Sequence, residues 1–136
     1  MKTIQQVYMA FLFLTAVTLL IWGLAGFFEY FTGIAPLYTL QNGYPAALQF
    51  LHWLFLTVFG LVFTIGYAKK WRHLPWVTVM LFSNGALLCT IETIDFNPDN
   101  WGLIPYLTEM TVYVISSVFL LISPVSKARF KLSSDG

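Results

Sequence analysis

Hydrophobic and polar positions alternate along this chain on the scale of whole segments. Four long apolar blocks, at about residues 7–28, 46–68, 76–95 and 103–123, are separated by short polar or turn-rich stretches. At a rise of about 1.5 Å per residue, roughly 20 apolar residues in a helix match the ~30 Å hydrocarbon core of a bilayer, so each block is predicted to cross once. The connections hold helix breakers. Gly33, Pro36, Asn42-Gly43 and Pro45 follow the first block, Pro75 opens the third, and Asn97-Pro98-Asp99-Asn100 precedes the fourth, with Asp99 or Asn100 placed to cap it. The expected fold is all-α: a polytopic membrane protein built as a four-transmembrane-helix bundle over residues 1–123. A polar cytoplasmic tail, residues 124–136, is expected to follow and to be frayed.

Composition strengthens this reading. Hydrophobic residues make up 58% of the 136, charged residues only 10%, and the mean hydropathy is +0.74. A soluble domain of this length needs more charge to cover its surface. The first block is longer than the apolar stretch of a secretion signal and no small-x-small cleavage pattern closes it, so it is expected to be retained.

Charge adds a direction. All seven basic residues lie in three places: Lys2 before the first block, Lys69, Lys70 and Arg72 between the second and third, and Lys127, Arg129 and Lys131 after the fourth. Four crossings force those places onto one face, and the positive-inside rule makes that face cytoplasmic, which predicts N-in/C-in topology in a cell inner (cytoplasmic) membrane. Trp71, Trp76 and Trp101 sit near block ends as interfacial anchors. Five of the six acids, Glu29, Glu92, Asp95, Asp99 and Glu109, map to the opposite half or its loops. With so few basic residues and no dense basic stripe, no nucleic-acid partner is expected. The single cysteine, Cys89, is read as a small core residue.

The candidate chemistry centres on Ser83 to Asp95, SNGALLCTIETID, which puts an amide and two carboxyls into an apolar segment. Helical spacing places Asn84, Glu92 and Asp95 on one broad face. Glu109 lies about two turns into the fourth block with Tyr113 at i+4, and Gln49 and His52 form an i,i+3 pair at similar depth in the second. A carboxylate at bilayer depth costs roughly 2.5–3.5 kcal/mol on insertion scales, so these acids are expected to face the bundle interior and find partners there. The predicted ligand-binding set is Gln49, His52, Asn84, Glu92, Glu109 and Tyr113. Glu29, Asp95 and Asp99 are expected to be solvated charges at helix ends or in loops.

Several activities can be weighed against these residues. The paired Glu-x-x-His spacing of a carboxylate-bridged metal site is absent, so no metal ligands are assigned. His52 and Met110 could ligate a haem only as a single unsupported pair, and no cofactor is assigned. No intramembrane lysine is present for a Schiff base, and no serine nucleophile elbow occurs. The leading expectation is binding of a membrane lipid or a small apolar or cationic ligand, or a role as a subunit of a membrane complex or homodimer. The alternatives are a membrane enzyme using Glu92 or Glu109 as general acid/base on a lipid, and a small proton-coupled transporter, for which four helices leave little room unless the chain dimerises.

Overall fold

The computed structural model describes residues 1–34, 45–96 and 103–131, without the side chains of Asp95 and Phe96. The expectations for the Asn42-Gly43 and Asn97-Pro98-Asp99-Asn100 turns, for Trp101 and for the last residues of the tail lie outside the described residues. Among the described residues five helices follow one another: α1 (Lys2–Thr32), α2 (Ala46–Ala68), α3 (Leu74–Phe96), α4 (Leu103–Ile122) and α5 (Pro124–Phe130). Four of them are long and apolar enough to cross a membrane. The protein is therefore an all-helical bundle of the multi-pass membrane type.

Local signals set most helix ends. α1 stops at Gly33, whose left-handed backbone (φ 68°) lets its N–H reach the Glu29 carbonyl at 2.9 Å. α2 begins directly after Pro45. It closes through a tight turn in which Lys70 takes a left-handed conformation and Trp71 N–H donates to the Gly66 carbonyl at 2.8 Å. Pro124 separates α4 from α5. α1, at 31 residues, extends past both ends of the 7–28 block. Its first turn is polar and its last is aromatic, so neither scores as hydrocarbon-spanning although both continue the helix.

From α1 to α4, consecutive helices run antiparallel. Gly26 faces the Trp53 ring and Gly60 faces Ala16 and Leu20, which registers α1 on α2. Phe59 against Phe82 (5.2 Å between ring centroids) registers α2 on α3, and Phe82 against Tyr113 (4.9 Å) registers α3 on α4. At the end that holds the N-terminus and α5, all four long helices meet around Phe63, Leu74, Leu120 and Phe130, each essentially fully buried. Tyr8 ties α1 to α4 there, its hydroxyl 2.9 Å from Ser116 Oγ and its ring edge-on to Phe119. The seven basic residues also lie at this end, in Lys2, the α2–α3 turn and α5 with the residue after it.

The tail departs from expectation. Residues from Pro124 to Phe130 form a helix folded onto the bundle, because Phe130 inserts into the core and Arg129 lies over the Tyr67 ring (3.6 Å) while donating to the Tyr67 carbonyl at 3.0 Å. Ser126 Oγ adds a bond to the Leu120 carbonyl at 2.5 Å. One aromatic residue and one guanidinium anchor a segment whose composition alone reads as solvated.

Elsewhere the apolar spans absorb their hydroxyls cheaply. Thr18, Ser83, Thr90, Thr108 and Thr111 each donate to the carbonyl four residues earlier in their own helix.

Close approach of α1 and α2 is the tightest constraint in the bundle. A Cβ at Gly60 would lie 2.6 Å from Leu20 Cβ and 2.7 Å from the Ala16 carbonyl oxygen, with backbone that cannot yield. Gly60→Leu is expected to destabilise the fold by about 1–3 kcal/mol through overpacking. Leu61→Ala, at the exposed neighbouring position, is expected to change stability by under about 0.5 kcal/mol. Reversible unfolding in mixed micelles measures both, and equal effects would remove the glycine contact as the reason.

Candidate functional site

At the end opposite the basic residues, the polar side chains come together in two linked groups. In the first, His52 on α2 meets Glu92 on α3, with Nδ1 3.1 Å from Oε1 and side-chain exposures of 38% and 18%. In the second, Glu109 on α4 accepts hydrogen bonds at both carboxyl oxygens: from the Tyr113 hydroxyl one turn along, and from Cys89 Sγ on α3 at 3.2 Å. Cys89 lies three residues before Glu92 on α3, which brings the two groups to neighbouring turns of one helix. A third contact between α3 and α4, Thr90 Oγ1 to Tyr106 Oη at 3.2 Å, holds the hairpin closed beside them.

The floor of this region is aromatic. Tyr113 stacks on Phe82 and meets Phe55 edge-on at 6.5 Å, while Phe55 packs over Gly85. Polar atoms thus stand above a ring layer that seals them from the core below.

Exposure shows that the bundle is open here. Tyr106, Glu109, Tyr113, Ser116 and Leu120 form one i,i+3,i+4,i+7 stripe of α4. Ser116 and Leu120 on that stripe are fully buried and Tyr113 is half-buried, yet Glu109 is exposed. Glu109 is therefore left uncovered by the other helices, while Ser116 and Leu120 further along the same stripe are covered. The far end is two helix pairs, α1 with α2 and α3 with α4, linked by His52–Glu92 and by Phe55.

Of the six residues singled out in the sequence, His52, Glu92, Glu109 and Tyr113 converge. Asn84 does not join them. Its carboxamide donates to the Met80 carbonyl of its own helix at 2.8 Å, and its side chain lines an apolar groove between α2 and α3 instead. Gln49 is half-buried on α2, one turn before Trp53. The side chain of Asp95 is not described.

Two residues carry more than their sequence context suggested. Cys89 is a hydrogen-bond donor to Glu109 as well as a buried residue, a placement that follows from the antiparallel α3–α4 hairpin: each step back from Phe96 matches a step forward from Leu103. Glu29, expected to be solvated, is fully buried at 0% exposure. It continues the Gly23 and Gly26 face of α1, which packs on α2, and that stripe takes the carboxyl in with it.

Among the described residues, no three of His, Cys, Asp and Glu are grouped so as to hold a metal ion. What the cluster offers is two carboxyls, an imidazole, a phenol and a thiol, able to accept hydrogen bonds, bind a cation or exchange protons. Comparison of the chain with protein-family models, with curated proteins and with solved structures found no match.

The pairing of His52 with Glu92 links helices that otherwise touch through Phe55 and Gly85 at this level. A double-mutant cycle of His52→Ala and Glu92→Gln is expected to give a coupling energy of about 0.6 kcal/mol, the average for polar pairs between membrane helices, and no more than ~1.7. Additive effects of the two substitutions would show that the contact contributes nothing to the fold.

Proposed function

We propose that this protein lies in the cytoplasmic membrane with both termini inside, and that it binds a lipid or a small apolar or cationic ligand through the polar cleft at the outward end. The exposure of Glu109 on the inward stripe of α4 carries this reading. A carboxyl in a membrane-spanning helix that faces a gap in its own bundle, rather than a packed core, has room for a molecule beside it. His52, Glu92, Glu109 and Tyr113 are the contact residues of the site, with Phe55 and Phe82 as its apolar base. Gln49 lies three residues before His52 on α2, and Asn84 lines the neighbouring groove between α2 and α3.

Charge supports a cation over an anion. The cleft holds two carboxyls and one imidazole, and the seven Lys and Arg all belong to the other end. The same asymmetry supports the orientation, since basic segments stay on the cytoplasmic side.

Tetraphenylphosphonium serves as the probe. It is expected to bind the reconstituted protein saturably, and Glu109→Gln is expected to weaken binding by about tenfold, the equivalent of ~1.4 kcal/mol. Tetraphenylborate, of the same shape and opposite charge, is expected not to compete. Equal binding of both ions would remove the acid-lined site, and chemical conversion of a bound lipid would replace binding by catalysis.

Orientation has its own test. In a Cys89→Ala background, Lys70→Cys is expected to resist an impermeant maleimide in intact cells and to react after lysis. Labelling of intact cells would reverse the topology.

A further inference from the structure

On its membrane-facing side, the α2–α3 junction forms a groove of about 390 Å³, lined almost wholly by Leu, Ile, Val and Phe side chains. Its volume falls within the ~300–1,000 Å³ typical of small-molecule sites. Three observations connect it with the polar cleft. Leu51 and Ile91, at its rim, are the chain neighbours of His52 and Glu92, whose contact spans the same two helices. Leu88 lies one turn below Glu92 on α3. Phe55 belongs to both places, since it lines the groove and meets Tyr113 edge-on in the floor of the cleft. The groove is apolar along its length except for Asn84, which spends a donor on Met80 and, among the described residues, accepts no hydrogen bond at its carbonyl oxygen.

We infer that the groove is the tail subsite of the cleft and that the ligand is a single-chain cationic amphiphile, its head at Glu92 and Glu109 and its chain along α2 and α3. This rests on the cleft being a binding site, and adds the class of molecule and its path of entry. An apolar chain reaches such a groove sideways from the bilayer, without crossing water, and the groove leads it to the carboxyls. Complementarity of charge selects the head. Two carboxyls against one imidazole, with every Lys and Arg at the opposite end, leave an anionic head unpaired in a dry site, whereas a quaternary ammonium meets opposite charge. The aromatic floor of Phe55, Phe82 and Tyr113 adds ring faces, which attract such cations. Phe55 is then the hinge between head and tail subsites, and the His52–Glu92 contact is what the head must pass or displace.

A dodecyltrimethylammonium analogue with a photoreactive group at its chain end, in nanodiscs holding the wild-type protein, tests this by mapping. Labelling is expected within 51–58 and 81–91 and is expected to be competed away by unlabelled dodecyltrimethylammonium. Val58→Trp and Leu87→Trp, on opposite walls at membrane-exposed positions, are each expected to reduce that labelling about tenfold while leaving tetraphenylphosphonium binding within twofold of wild type, which also shows that the variants fold. Should either variant fail to bind tetraphenylphosphonium, the wild-type labelling map alone decides. Saturable labelling elsewhere, or none, alongside Glu109-dependent tetraphenylphosphonium binding would overturn the groove and leave the cleft standing. Failure of both cations to bind would overturn the two together. Competition by dodecyl sulfate equal to that by the cation would overturn the assignment of charge.

Discussion

Hydrocarbon supplies no hydrogen bonds, so each polar group within the four spans has to be satisfied by the protein, and the structure can be followed as successive answers to that demand. Helix satisfies the backbone. Hydroxyls of Thr18, Ser83, Thr90, Thr108 and Thr111 bond back to their own helix, which asks nothing of neighbours, whereas those of Thr57, Thr64 and Thr78 and the Trp53 indole N–H are buried without a partner among the described residues. Carboxyls find no such answer in the helix backbone, which offers carbonyl acceptors where an acid oxygen needs donors, so the donors have to be side chains. Glu109 therefore takes Tyr113 from one turn along and Cys89 from the next helix, while Glu92 takes His52 from the helix before. Helix pairing and acid placement are in this sense one problem. Residues that satisfy the acids also fix the registers of α2, α3 and α4.

The bundle spends its packing unevenly. Near the termini, four helices and α5 close around Phe63, Leu74, Leu120 and Phe130, and Tyr8 joins the first helix to the last. At the other end, small residues let α1 press onto α2, with Gly23 against Thr57 and Gly26 under Trp53, while Glu109 on α4 stays exposed. A molecule with a tight base and a split top is one in which ligand contacts can form without loss of the core, since the two regions share only the ring layer of Phe55, Phe82 and Tyr113.

Much of this was legible in the chain. The second apolar block coincides with α2 and the fourth with α4 to within a residue, because hydropathy and turn residues agree there. The convergence of His52, Glu92, Glu109 and Tyr113 follows from helix direction and depth, which the three connections between the four spans impose. The misses share a cause. Asn84 and Glu92 share a broad face, but eight residues leave a rotation of about 80° between them, enough to turn the Asn84 side chain to the groove. Glu29 was taken for a surface charge because it sits near a helix end, whereas its stripe carries it against α2. α5 is hard to read from the sequence because Phe130 is a single aromatic residue in a short, charged segment, and only the tertiary packing shows what it does. Periodicity reports which face a residue is on, and it does not report which neighbour that face meets.

Charge arrangement links the fold to its proposed use. Seven basic residues at one end and the carboxyls of Glu92 and Glu109 near the other give the bundle a fixed polarity along its axis. In the proposed orientation, the basic end stays on the cytoplasmic side. In the proposed use, the carboxyls of Glu92 and Glu109, which have no Lys or Arg near them, attract a cation. A neutral ligand would gain only the ring layer and the groove, while a cation gains those and the electrostatic attraction of a low-dielectric site. The absence of basic side chains from the cleft, which makes the acids costly to keep, is also what leaves them available to a ligand.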